Sequence, residues 1–110
     1  MPTASPNPIA SIERGSVFLH ATWSGPSVLA LQRLRQAWSV AGFPDSELHV
    51  LDLDEHISLA ELPELSGRVH GYGEAFHVRL GSIIYFHALG RTHTTVDDEI
   101  QTFIQQAGNA

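Results

Sequence analysis

The sequence predicts an α/β fold: a four-stranded mixed sheet, in the order β-α-β-α-β-β-α, with helices packed on its faces. Three observations predict it. An apolar run at 16–21 (Ser-Val-Phe-Leu-His-Ala) leads into a helical period and then into a second strand-like run at 48–53 (Leu-His-Val-Leu-Asp-Leu). Two strands joined through a helix are parallel, and the crossover is right-handed. Further on, strand-like runs at 75–79 and 82–89 are separated only by Leu80-Gly81, which reads as a tight antiparallel hairpin. An amphipathic helical stretch follows from Val96.

Each element has its own local reason. Residues 1–14 are expected as a flexible, proline-containing leader ahead of one domain over 15–110. The first eight residues hold three prolines, with neither the basic start nor the apolar stretch of a secretory signal. The run 16–21 is nearly continuous in apolar residues, as a central strand should be. Val28, Leu31, Leu34, Trp38 and Ala41 then recur at three or four residue steps, with Gln32, Arg33, Arg35 and Gln36 between them. This spacing predicts an amphipathic helix over about 27–41, with Trp38 in the core and Gly42 as terminator. Ser58 and Glu61 have capping-box spacing while Pro63 disturbs a helix begun there, so one short, broken helix is expected before Gly67. In the last helix Val96, Ile100, Phe103, Ile104 and Ala107 share a face, Thr95 is the expected N-cap, and Gly108 is expected past the end.

Composition bounds the function. The chain of 110 residues suits one domain, its 43% apolar and 16% charged residues are those of a globular protein, and no apolar run approaches a membrane span. It has no cysteine, which rules out disulfides, thiolate metal sites and thiol catalysis; a cytoplasmic location is the default expectation. The net charge is −6, and between residues 45 and 67 Asp45, Glu47, Asp52, Asp54, Glu55, Glu61 and Glu64 occur with no basic residue. Such a field opposes nucleic-acid phosphates and anionic membranes and favours a basic protein partner, or it is simply a solvated face.

The seven histidines (His20, His49, His56, His70, His77, His87, His93) show no metal-ligand spacing, and no metal or other cofactor is expected. His77 is expected to pair with Ile84 across the hairpin, not with His87. Gly71 and Gly73 are two apart but do not join a strand to a helix, so they are expected to serve backbone geometry, not a dinucleotide.

The residues most informative about function are Trp23-Ser24-Gly25-Pro26-Ser27, between the first strand and the first helix, and the segment 69–81 beginning Val-His-Gly-Tyr-Gly-Glu. Over 15–107 the chain resembles thioredoxin, whose redox motif carries cysteines at the positions of Ser24 and Ser27. In that family a cis-proline stands where this chain has Gly73, and a buried acidic residue where it has Phe18. All three departures agree, and the resemblance implies a natural non-redox member, because a serine hydroxyl is not appreciably ionised near neutral pH and forms no disulfide. It further implies that Trp23, Ser24, Gly25, Pro26, Ser27, Tyr72 and Gly73 mark the surface at the sheet's carboxyl end where thioredoxins hold extended peptides; Glu74 completes the candidate set. The segment 71–81 following Trp-Ser-Gly-Pro also looks like small bacterial thioredoxin-like proteins of toxin and immunity loci.

The expected function is therefore a non-catalytic protein-binding module without redox activity, with toxin neutralisation as one concrete version. Two alternatives stand beside it. One is an enzyme of a non-thiol class using Ser24 or a histidine, and the other is a structural subunit forming a homodimer through 54–69. Ser24 or Ser27 is also expected to cap the helix, serine being a preferred N-cap. For Trp23 and Tyr72 two readings stay open: an exposed aromatic patch, or rings packed against the sheet end.

Overall fold

The computed structural model describes residues 9, 12–56, 62, 63, 65, 67–92 and 94–109, without the side chain of Asn109. The elements are β1 (Arg14–His20), α1 (Gly25–Val40), a 3-10 turn (Asp45–Glu47), β2 (Leu48–Asp52), β3 (Glu74–Arg79), β4 (Ser82–Ala88) and α2 (Val96–Asn109). They form the expected mixed sheet in the order β2-β1-β3-β4. β1 and β2 run parallel, from Ser16 opposite Leu48 to His20 opposite Asp52, while β3 is antiparallel to both β1 and β4.

Strand alternation divides the core into two layers. Phe18 and Ala75 face the helices, joining Ala30, Leu31, Leu34 and Trp38 of α1 with Ile100 and Phe103 of α2. Val17, Leu19, Phe76 and Val78 face the other way, with Ile9 and Leu65. Both helices thus lie against the first layer, and the second is covered, among the described residues, by segments around Ile9, Ile12, Leu62, Leu65 and Val69. No helix among the described residues is long and apolar enough to cross a membrane.

Several local expectations need correction. α1 begins at Gly25, and its buried stripe is Ser27, Ala30, Leu31, Leu34 and Trp38, whereas Val28 and Ala41 are exposed. The stripe drifts because 3.6 residues per turn rotate it about the axis, and Ser27 is drawn inward by polar partners. Gly108 lies inside α2, where a last turn tolerates it. At the other end Ile9 is buried, and the carbonyls of Ile12 and Glu13 accept the N–H groups of Gly81 and Leu80. The described part of the expected leader is therefore packed on the domain. Ser58 and Glu61, most of the helix expected with them, and also Glu64 and His93, lie outside the described residues.

The hairpin turns at Leu80 and Gly81, whose φ values of 51° and 79° suit the primed turns that follow strand twist. His77 pairs with Ile84 as expected, but the register shifts between His77 and Ala75, which pairs with His87. One extra residue on β4 makes a bulge there, and Tyr85 takes a positive φ of 54° within it. The consequence is a change of face. Past the bulge Phe86 lies beside Phe76 in the second layer, their rings 6.2 Å apart and nearly parallel, while His87 turns toward α2.

Candidate functional site

The turn between β1 and α1 is built from two hydroxyls and a short loop. Ser24 is extended (φ −108°, ψ 119°), its carbonyl accepts the first helical N–H from Val28, and Pro26 stands in the first turn, where a missing N–H costs nothing. Ser24 is thus the N-cap residue by backbone position, but its hydroxyl makes no cap. It donates instead to the carbonyl of Gly71 at 2.6 Å, joining the motif to the loop before β3. Ser27 looks inward: its Oγ accepts the Ala21 N–H at 3.0 Å and lies 2.9 Å from His20 Nδ1. Thr95, at the start of α2, behaves like Ser24. Its carbonyl accepts from Glu99, while its hydroxyl turns away to the Thr92 carbonyl.

The facing loop is fixed by glycines and a carboxyl group. Gly71 and Gly73 both have φ near +80°. A Cβ on Gly73 would lie 2.8 Å from the buried Phe18 Cζ, which leaves no room for a side chain, and one on Gly71 would lie 2.7 Å from Trp23 Cη2, so the exposed indole would have to move aside. Glu74 is fully buried, and its two carboxyl oxygens accept the N–H groups of Gly71 and Tyr72, each at 3.2 Å. A third strand of chain meets these two at Gly90. Its N–H donates to the Tyr72 carbonyl at 2.8 Å, and a Cβ there would stand 2.5 Å from Tyr72 O and 2.6 Å from Pro26 O. The sequence reading missed Gly90; the signal available was a glycine directly after a strand-like run, where close backbone approach is common.

Of the eight candidate positions, Trp23, Gly25, Pro26 and Tyr72 are on the surface, while Ser24, Ser27, Gly73 and Glu74 are buried and hold the loops from beneath. Both aromatic readings are partly met. Trp23 is 68% exposed yet lies edge-on against Gly71, and Tyr72 is 37% exposed. Between motif and Gly90 lies a cavity of about 310 Å³ bounded by Pro26, Leu29, Arg91 and Val96.

The chemistry open to these groups is narrow. His20 meets Ser27, not Ser24, and Ser27 has no exposed surface through which to reach a substrate. His70 is turned to the Gly67 carbonyl at 3.0 Å. Among the described residues, neither His20 nor His70 therefore faces the Ser24 hydroxyl as a base, as nucleophilic catalysis would require. Among the described residues no three of His, Asp or Glu gather as metal ligands.

The described members of the acidic run do not form one patch. Asp45 and Glu47 precede β2 and Asp52, Asp54 and Glu55 end or follow it, so the strand holds the groups roughly 16 Å apart. Only the second group shares the end of the sheet that carries the motif. His77, buried and outside this site, receives the Ser16 hydroxyl on Nδ1 at 2.5 Å and donates from Nε2 to the Phe103 carbonyl at 2.9 Å. Burial pushes its imidazole down from 6.5 to about 4, the Phe103 bond acting against this and nearby His87 with it.

No family model matches the chain, and no curated protein does. Solved structures do. The chain is similar to oxidised thioredoxin from Plasmodium falciparum, at 17% identity over 89% of this chain and 84% of that one, with a TM-score of 0.61. It is also similar to oxidised mitochondrial thioredoxin 3 from Saccharomyces cerevisiae, at 16% identity over 86% and 82% of the two chains and a TM-score of 0.52. A third is the reduced thioredoxin pre-protein of Schistosoma mansoni, at 17% identity over 83% and 79%, with a TM-score of 0.53. The chain has a thioredoxin-like fold, and it carries no cysteine with which to perform thiol–disulfide exchange.

Proposed function

We propose that this chain is a non-catalytic protein-binding module, which recognises an extended segment of a partner at the carboxyl end of its sheet. The observation that carries this reading is the pairing of an exposed indole with a locked loop. Trp23 lies against Gly71, and the Ser24 hydroxyl ties the same residue to the motif. A large ring held in place loses little freedom on binding and makes a strong anchor. Asp54 and Glu55 are exposed on the same end of the sheet and favour a basic partner, for which toxin neutralisation is the specific case suggested by the immunity-locus resemblance.

In insulin reduction with dithiothreitol the protein is expected to give the rate of buffer alone; acceleration that survives repurification would overturn the non-redox reading. For binding, a captured partner is compared on the native chain, on Trp23→Ala and Tyr72→Ala, and on the Asp54→Asn/Glu55→Gln double variant. Loss of an aromatic anchor should raise the off-rate by about tenfold or more, and loss of the charges should lower the on-rate with a reduced salt dependence. A partner indifferent to both sets binds elsewhere.

A further inference from the structure

α1 and α2 lie side by side and run the same way. Arg33 meets Asp97, near the start of α2, at 2.8 Å, and a Cβ on Gly108, near its end, would stand 3.8 Å from Phe43 Cζ, just past α1. Between the two helices runs a groove of about 650 Å³, with the buried Ile100 and Ile104 at its base. Val40 stands at its rim and, at 84% exposure, is the most exposed large apolar side chain among the described residues. We propose that this groove is an interface between two copies of the chain, related by a two-fold axis that runs along it.

The order of side chains along the two walls commits the groove to a second copy. α1 presents Arg33, Gln36 and Val40, and α2 presents Asp97, Gln101 and Ile104. On each wall seven residues, roughly 10.5 Å of helix, separate the charge from the aliphatic group, so charge, amide and aliphatic group stand at matching heights. A two-fold axis along the groove sets α1 of one copy over α2 of the other without reversing either. Arg33 then meets Asp97 of the second copy, the glutamines meet amide to amide, and Val40 lies over Ile104, each contact occurring twice. An axis across the groove would instead leave Arg33 over Val40 and Asp97 over Ile104. Charge supports the same arrangement. Chains of net charge −6 repel one another over most approaches, whereas the described charges lining this groove are one of each sign and each faces its opposite. The Arg33–Asp97 ion pair uses one nitrogen and one oxygen, and both side chains remain exposed, so the pairs of two copies can join as a ring of four charges without breaking. The axis also leaves both Trp23 rings on one side of the dimer, although dimer formation itself does not rest on protein binding there.

Sedimentation equilibrium of the full chain at moderate salt should show monomer and dimer exchanging as the concentration rises from about 10 µM to about 1 mM, the range of a small interface. Amide shifts that change over the same dilution should be confined to 33–41 and 97–104. Val40→Ser changes no charge at an exposed site and should weaken the dimer by about tenfold or more. Arg33→Glu and Asp97→Arg should each abolish self-association, because each sets like charges together twice. A mixture of these two variants should dimerise, since both of its cross-pairs are again opposite in sign. Arg35→Glu and Asp98→Arg carry the same charge changes at exposed positions outside the groove and should each self-associate as the native chain does. The chain has no cysteine, so a nitroxide on Ser39→Cys marks one position. Mixed with isotope-labelled native chain, it should broaden Ile104 more strongly than Asp97. A native chain that stays monomeric to about 1 mM overturns the proposal and leaves the groove to another partner. A dimer indifferent to Val40→Ser and to both charge reversals, a mixture that stays monomeric, or stronger broadening at Asp97 would each overturn it as well.

Discussion

The turn at 21–27 and the loop at 70–73 face each other across the end of the sheet but are held by different physics. Hydroxyl groups fix the turn: Ser27 satisfies the Ala21 N–H, and Ser24 reaches the Gly71 carbonyl. Backbone conformation and close approach fix the loop, where Gly71 and Gly73 have positive φ and a Cβ at either would collide with a ring. Hydrogen-bonded geometry degrades in steps of a kilocalorie or two when a partner is removed, whereas glycine geometry fails outright when a side chain is added. The loop is therefore the less tolerant half of the site.

The largest expected effect is at Gly73. Gly73→Val combines a β-branched residue at φ +80° with a collision against Phe18 and Ala30, and should cost about 4 kcal/mol. Gly81→Ala, also at positive φ but in the exposed hairpin turn, should cost about 1 kcal/mol. Urea unfolding measures both, and hydrogen exchange should show the disturbance of Gly73→Val spreading through 70–74. Equal costs would break the distinction between loop and hairpin.

A control outside both halves comes next. An unfolded chain's imidazole takes its proton near pH 6.5, and that of buried His77 only near pH 4, so between these values protons favour the unfolded state. The contribution is fully present above about pH 6.5 and is lost as the pH falls toward 4, by up to roughly 3 kcal/mol. Stability of the native chain and of His77→Gln, followed by urea unfolding at pH 7 and 4.5, should converge as the pH falls. A constant gap between them would remove His77 as the cause.

The smallest effects are in the turn. Ser27→Ala leaves the buried Ala21 N–H without its acceptor and the His20 imidazole without its partner and should cost about 2 kcal/mol, while Ser24→Ala removes one donor from the Gly71 carbonyl and should cost about 1, an under-satisfied carbonyl being better tolerated than an orphaned N–H. Thermal unfolding with hydrogen exchange at 70–73 separates the two, since only Ser24→Ala should loosen the facing loop. The reverse order would mean that Ser24 is the main support of the turn.

What the sequence determined by itself is what local pattern can encode. Element order, the parallel crossover, the turn at Leu80-Gly81, the burial of Trp38 and the absence of any thiol all follow from neighbours a few residues apart. Tertiary structure decided the rest. A cap was legible at Ser24, but its hydroxyl chose a carbonyl 47 residues away, a competitor that no local pattern contains. Simple pairing placed His77 opposite Ile84, yet the bulge at Tyr85 then turned Phe86 toward Arg68 and His87 toward Glu99, and one extra residue in a strand leaves alternation in the sequence unchanged. Likewise the run of acidic residues looked continuous along the chain, and only the extended course of β2 separates Asp45 and Glu47 from Asp52, Asp54 and Glu55.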